Sequence, residues 1–486
     1  MKYLSPINTT GFLLFALVTA CADDDGVVIT EVDAGAQASS DSRGSKESDG
    51  KPVDSDDSGT SGSPIADEGD ASMPGDVTDL SPDASSQGND VTSGNVDAAV
   101  TDDVTEPAEP ENSMYVVAAS VNDGNAWLTY LTTSPTLKTH IKTDDAIEIP
   151  GRALAVGPHE AGVTYVTSGT TITRYRLDEK SRTLKAEKPT ISFASLGVTD
   201  IHEYGGQFVF EGTDKSYFFD GDNSQVVVWN PDELTVDRAI PLDIVPKDLD
   251  GVVLTYSAAP IRRGDQVVTF AGLRQGTAPV SLAAVVVLDT KTDTAEVVTD
   301  ARCGYVRDGV WADDGFIYLA TEAYAAAYHR VQDDKDAPAP CLLRFDPRKK
   351  KFDEGFNVVL SSLFKGAPAG SLVVAKDGST YLKVLDEEVQ PVDSNSVPRL
   401  IASQPAWRWA SLTVGDEPSA KLLDLPHTSG SVTPFTLGNQ RFALTNRSVD
   451  HNGRTITVSD ISELNSKPSE VVGTVDGLVF SITKVR

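Results

Sequence analysis

Cysteine, histidine and positive charge are all scarce in this chain. Its 486 residues include 3 Cys and 6 His. So few cysteines exclude a disulfide-dense scaffold and any cysteine-based zinc array. The histidines are scattered, with no HExxH and no paired spacing for a metal, so no metal centre and no cofactor is expected. Lys and Arg number 41 against 72 Asp and Glu, a formal charge of −31. That balance disfavours nucleic acid, which needs a clustered positive surface. Neither a GxSxG elbow nor a phosphate-cradling glycine loop occurs. The chain is therefore expected to bind rather than to catalyse.

The acidity is concentrated. Residues 22–112 hold 24 acidic and three basic residues, so they carry −21 of the total, and 113–486 carry −11. This stretch is built from Asp, Ser, Gly, Ala, Thr and Pro and has almost no aromatics. It cannot bury enough apolar surface to offset chain entropy, and self-repulsion extends it. A disordered acidic linker is expected over 21–112. A calcium-binding tail is the alternative, though no DxDxDG-type loop with a terminal Glu is present.

The N-terminus reads as an address. Lys2 is followed by the apolar run Gly11–Ala20, too short to span a bilayer and of signal-peptide length. Val18-Thr19-Ala20-Cys21 resembles a bacterial lipobox. That resemblance implies cleavage after residue 20, lipidation of Cys21 and anchoring by several acyl chains. Ala22 rather than Asp follows the cysteine, which in the enteric pattern favours the outer membrane. In such an oxidising compartment Cys303 and Cys341 form an even pair suited to a disulfide, with two free buried thiols as the alternative.

From 113 onwards short β-type runs recur. The third run of each unit is the clearest: Ile172–Asp178, Val226–Asp232, Val285–Asp289 and Leu342–Asp346. Their aromatic or leucine positions, 175, 229, 288 and 345, are spaced by 54, 59 and 57 residues. Weaker copies are Trp407–Trp409 and Ile456–Asp460. Four strands per unit of about 50 residues is the pattern of a β-propeller blade. Six units start near 151, 197, 250, 303, 367 and 428. Three runs remain in 113–150 and one at Gly477–Val485, so a seventh blade closed from both ends is expected. Two stacked sandwiches would explain neither the repeat nor the split remainder.

In a propeller the loops between second and third strands share one face with the connections between blades. Two such loops are long, Glu322–Pro340 and Asp386–Ala406. Long loops in a compact array are more often functional than decorative. The candidate ligand-binding residues on this face are Arg274, Arg302, Tyr324, Tyr328, His329, Arg330, Arg399, Trp407, Arg408 and Arg447, with Arg152 and His451 nearby. Guanidinium groups and aromatic rings together suit a flat, anionic, aromatic ligand. Solvated loops or ion pairs between blades are the plainer reading of the same residues.

Four segments carry a family resemblance: Ile172–Tyr175, Ser192–Val198, Tyr217–Asp220 and Val226–Pro231. With the lipobox and acidic tether, they resemble the β-propeller lipoproteins encoded in siderophore clusters of the myxochelin type. The resemblance implies an envelope lipoprotein that captures a ferric siderophore and passes it to an outer-membrane uptake receptor. Two alternatives compete with it, a protein-interaction scaffold on the outer membrane and a lactonase-type hydrolase.

Overall fold

The computed structural model describes residues 112–486 apart from 123–125, 248, 333–336 and 452–453. The leader, Cys21 and the acidic stretch through residue 111 lie outside the described residues. The described chain forms a seven-bladed β-propeller of antiparallel sheets. The innermost strands of blades one to six are Ala155–Val156, Phe208–Phe210, Val252–Tyr256, Val306–Trp311, Ala369–Val374 and Thr433–Leu437. The seventh blade is the expected composite. Its inner strand is Leu478–Lys484, and Tyr115–Asn122, Trp127–Ser134 and Ile147–Pro150 complete it. Val117 pairs with Ile482 in the closing ladder. A second latch adds to the closure, since His140–Ile141 pairs in parallel with the outer strand of blade six.

Alternation along the strands explains the stacking. In Gln225–Asn230, Val227 and Trp229 pack with Tyr165 and Ile172 of blade one. Val226 and Val228 pack with Leu254, Tyr256 and Val267 of blade three. Both faces of a central strand are thus apolar, as a strand buried on both sides requires. Each such valine contributes about 1.5–3 kcal/mol when fully buried.

The turn after the third strand repeats in detail. Asp178, Asn230, Asp289 and Asp346 each accept backbone N–H groups two or three residues on. Four residues beyond each stands a residue of positive φ: Arg182, Leu234, Asp293 and Lys350. The Asx side chain fixes the turn by local hydrogen bonding.

Each of the two long loops contains a helix, α1, Ala323–Gln332, in the first and α2, Pro398–Ser403, in the second. Neither shows a clear amphipathic period, because α1 is alanine-rich and short and α2 is only six residues long. Alanine supplies helix propensity without a patterned face. Proline at the first turn of α2 suits a position whose N–H needs no partner.

Cys303 and Cys341 are joined, with Cα atoms 5.8 Å apart and a sequence separation of 38. The bond ties the start of blade four to its third strand, across α1. Loop-closure entropy for that span corresponds to about 4 kcal/mol.

Lys383 is fully buried between blades five and six. Its Nζ lies 3.4 Å from the centroid of the Trp409 ring and donates to the Thr428 hydroxyl. Burial holds its pKa well below the usual lysine value. A lysine depressed on folding costs stability below its unfolded pKa, and the cost disappears as pH rises towards that value. Lys383→Met should therefore raise the melting temperature at pH 7 by a few degrees. The gain should shrink as the pH approaches 10. Thermal melts of both proteins across this range check the account, and an unchanged or lower melting temperature at pH 7 would contradict it.

Candidate functional site at the channel mouth

The inner strands surround an axial channel. Two wider segments, of about 240 and 160 Å³, share Ala259, Pro260, Pro434, Phe435 and Thr436 in their walls. At one end the channel narrows to a pocket of about 30 Å³, lined by Tyr204, Tyr305, Arg307, Glu322, Tyr324 and Arg399 among others. That is room for about two waters or one small polar headgroup.

Blade four supplies Tyr305, Arg307, Glu322 and Tyr324 to this mouth, and its backbone departs from regularity to do so. The ladder between Val306–Trp311 and Ile317–Thr321 shifts register between Val306 and Asp308, leaving Arg307 in a bulge. A bulge bends a strand and re-aims its side chains. Here Arg307 faces the mouth pocket while Asp308 lines the channel just below it. Tyr305 has φ of 49° and Ser371, on the adjoining strand of blade five, φ of 55°. Neither is glycine and neither sits in a hairpin turn. Left-handed backbone in such residues costs of order 1–3 kcal/mol each and tends to cluster at functional sites.

The strained residues have tasks. The Tyr305 ring lies 5.4 Å from Tyr324, edge to face. The Ser371 hydroxyl approaches Glu322 at 3.5 Å and accepts the Ala323 N–H at 3.0 Å. Glu322 is 5% exposed and also accepts the Tyr324 N–H at 2.8 Å and the Ser431 hydroxyl at 3.2 Å. An acid accepting an N–H at the first turn of α1 is favoured by the helix terminus.

Arg307 is 9% exposed. Its guanidinium carbon lies 4.6 Å from the centroid of Tyr204 and 6.0 Å from that of Tyr305. Its buried Nε has no hydrogen-bond partner, and among the described residues no hydrogen bond or ion pair reaches this guanidinium. A permanent cation is thus held in place by rings with its Nε unsatisfied. Arg399, from α2, stacks over Tyr324 at 4.9 Å. Asp308, half-buried in the channel wall, is pushed up to about 7 by desolvation from the surrounding protein, with Arg307 opposing the rise and the Glu322 charge adding to it.

Of the residues expected from sequence, Tyr324 and Arg399 line this mouth. The Tyr324 hydroxyl donates to the Thr277 carbonyl, and Tyr328 stands beside it at 6.5 Å between ring centroids. The others do not converge. Arg302 is committed to Asp300 and to the carbonyls of Asp353, Glu354 and Phe356. Arg330 forms a two-point pair with Glu387, and Arg447 pairs with Asp460. Arg274 is buried and donates to the Gly276 carbonyl. Trp407 is a core residue whose Nε1 donates to Ile401. His329 and Arg408 are half-buried and do not line the pocket. Arg152 packs on Phe480 at 4.5 Å, at the edge of the mouth. Arg307, Glu322, Tyr204, Tyr305 and Asp308 were not among the expected residues. Their signal is a charged Arg307-Asp308 pair inside an otherwise apolar inner-strand run.

No protein-family model matches the chain, and no curated protein is similar to it. Solved structures similar to it include a candidate 6-phosphogluconolactonase from Bacteroides fragilis (11% identity, TM-score 0.46, covering 78% of this chain and 100% of that one). Another is the periplasmic gluconolactonase PpgL of Pseudomonas aeruginosa (11% identity, TM-score 0.43, 77% and 99%). A third is apo AztD from Citrobacter koseri (9% identity, TM-score 0.35, 77% and 98%). At such identities the likeness assigns no ligand. It does correct one expectation. With lactonase names among these structures, the reading of the chain as a non-enzyme does not stand.

Gly272 of blade three makes room for the site. A Cβ there would lie 2.8 Å from Arg307 Cγ and 3.2 Å from Tyr305 Cδ2. Gly272→Ala should displace both residues and lower stability by about 1–3 kcal/mol, the usual cost of overpacking. Chemical denaturation checks this, and a variant as stable as the parent would show that the Arg307 stem is not held there.

Proposed function

We propose that the propeller binds an anionic ligand at the channel mouth, with Arg307 as its anchor. The observation that carries this reading is the buried guanidinium that has no hydrogen-bond or ion-pair partner among the described residues. Such a group is costly unless something pairs with it, and a planar, oxygen-rich anion matches its fork of donors. Tyr204, Tyr305 and Tyr324 supply ring surface beside it, and Arg399 supplies a second cation.

The ligand class favoured by the family resemblance is a ferric siderophore, held at the envelope by a lipoprotein anchored through Cys21 and passed on to an uptake receptor. Iron-loaded catecholates are anionic and aromatic. The pocket takes only a projecting anionic edge of such a complex, with the rest lying over the rim. Titration of the full chain with ferric catecholates, followed by tryptophan fluorescence, tests this. Arg307→Gln should weaken binding by about 10- to 100-fold, the worth of charge-assisted hydrogen bonds. No saturable change with any of several complexes, or an unaltered affinity in the variant, would overturn the reading.

A second reading rests on Asp308. A carboxyl poised near 7 beside an arginine suits general acid–base chemistry, and Arg307 could polarise a lactone carbonyl. Hydrolysis of model aldonolactones that disappears in Asp308→Asn would support it. A uniformly blank screen would remove its support.

A further inference from the structure

Asp308 and Arg307 are consecutive residues at one bulge, and they do not pair with each other among the described residues. Among the described residues Asp308 accepts only a long contact, 3.5 Å, from the Ser257 hydroxyl of blade three. The charged groups around it are few. Arg307 is on its own strand and Glu322 follows the neighbouring strand of the same blade. From blade three come Ser257 and, on the preceding strand, Thr255, which approaches Glu203 at 3.5 Å. Lys376 and Arg441 line the same channel segment from blades five and six. Glu322 is already fixed by Tyr324, Ser371 and Ser431, so its position does not respond to a ligand. Asp308 has no such set of donors. When an anion sits on Arg307, Asp308 faces a second negative charge within a site of low effective dielectric, where like charges strongly oppose each other.

We propose that the group recognised at the mouth is a carboxylate, and that its binding takes up one proton, held by Asp308. This rests on the anion-binding reading above and adds the chemical class of the anchoring group and the accompanying proton. A carboxylate meets the size limit of the pocket, about 30 Å³, and matches one edge of a guanidinium with two parallel hydrogen bonds. The balance is simple. Ligand carboxylate, one solvent proton and ionised Asp308 give bound carboxylate and a neutral Asp308 carboxyl.

The sign follows from the carboxyl titrating near 7 in the free protein and higher with an anion bound. Below about pH 6 Asp308 is already protonated, so binding takes up no proton and is at its strongest. As the pH rises through 7, affinity falls, by up to tenfold per pH unit, and proton uptake approaches one per ligand.

The experiment titrates the full chain with benzoate and with a ferric catecholate by calorimetry, between pH 5.5 and 8.5. Two buffers of different ionisation enthalpy report the protons taken up. The proposal expects benzoate to bind, with uptake near zero at pH 5.5 and near one at pH 8. Asp308→Asn should abolish the uptake and hold the affinity at pH 8 near the parent's value at pH 5.5. Glu322→Gln should retain the pH dependence. Saturable, Arg307-dependent binding without proton uptake would overturn this proposal and leave the anion-binding reading standing. So would pH dependence that survives in Asp308→Asn, or ferric catecholate binding without benzoate binding. Absence of binding by either probe at every pH would overturn both. If Asp308→Asn does not fold, the two-buffer measurement on the parent chain alone decides.

Discussion

Pairing of the C-terminal strand with Tyr115–Asn122 is the constraint on which the rest depends. It turns a row of sheets into a ring, and the ring creates an axis. The mouth residues come from widely separated segments: Tyr204 before blade two, Tyr305 to Tyr324 in blade four, Arg399 and Ser431 around blade five, Asn446 in blade six and Phe480 in the closing strand. Only closure places them around one pocket. The parallel latch of His140–Ile141 onto blade six reinforces the same joint.

Within the ring, the mouth holds features that folding alone does not favour. Left-handed Tyr305, left-handed Ser371, the bulge at Arg307 and a buried guanidinium Nε without a hydrogen-bond partner among the described residues all lie within one small region. Such a combination persists only where neighbouring structure over-determines it. The disulfide contributes here, since Cys303 stands two residues before Tyr305 and is fixed to the third strand of the same blade. Helix α1 contributes too, through Tyr324 and the alanines that pack with Tyr305, Ile401 and Trp407 in one buried cluster. The unfavourable arrangement is thereby held in place, as the proposed ligand site requires.

Much of the fold was legible in the amino-acid order. Tyr175, Trp229, Leu288 and Phe345 mark third strands because a strand buried on both faces must repeat apolar residues at a fixed place in each unit. The Asx residues after them mark turns because their side chains bond locally. The closing strand was legible as a remainder. The site was read less well. Arg302, Arg330 and Arg447 have the right chemistry on the expected face, but each is consumed by an acid: Arg302 by its near neighbour Asp300, Arg330 and Arg447 by Glu387 and Asp460, which folding brings to them. Arg307 lies inside a strand, where a search of loops does not look, and its orientation depends on a bulge that no local pattern announces. Helices α1 and α2 were read as loops because small residues leave no amphipathic stripe.

The central claim is that Arg307 is kept out of a hydrogen-bonded ion pair, although Glu322 and Asp308 stand near it, so that a ligand can complete one. The most direct measurement is a crystal structure of the protein at high resolution, without and with benzoate. The account predicts a guanidinium seated against Tyr204 and clear of Glu322 and Asp308, with the added carboxylate in two-point contact with it. A guanidinium paired with Glu322 or Asp308, and no anion at the mouth when benzoate is present, would contradict it.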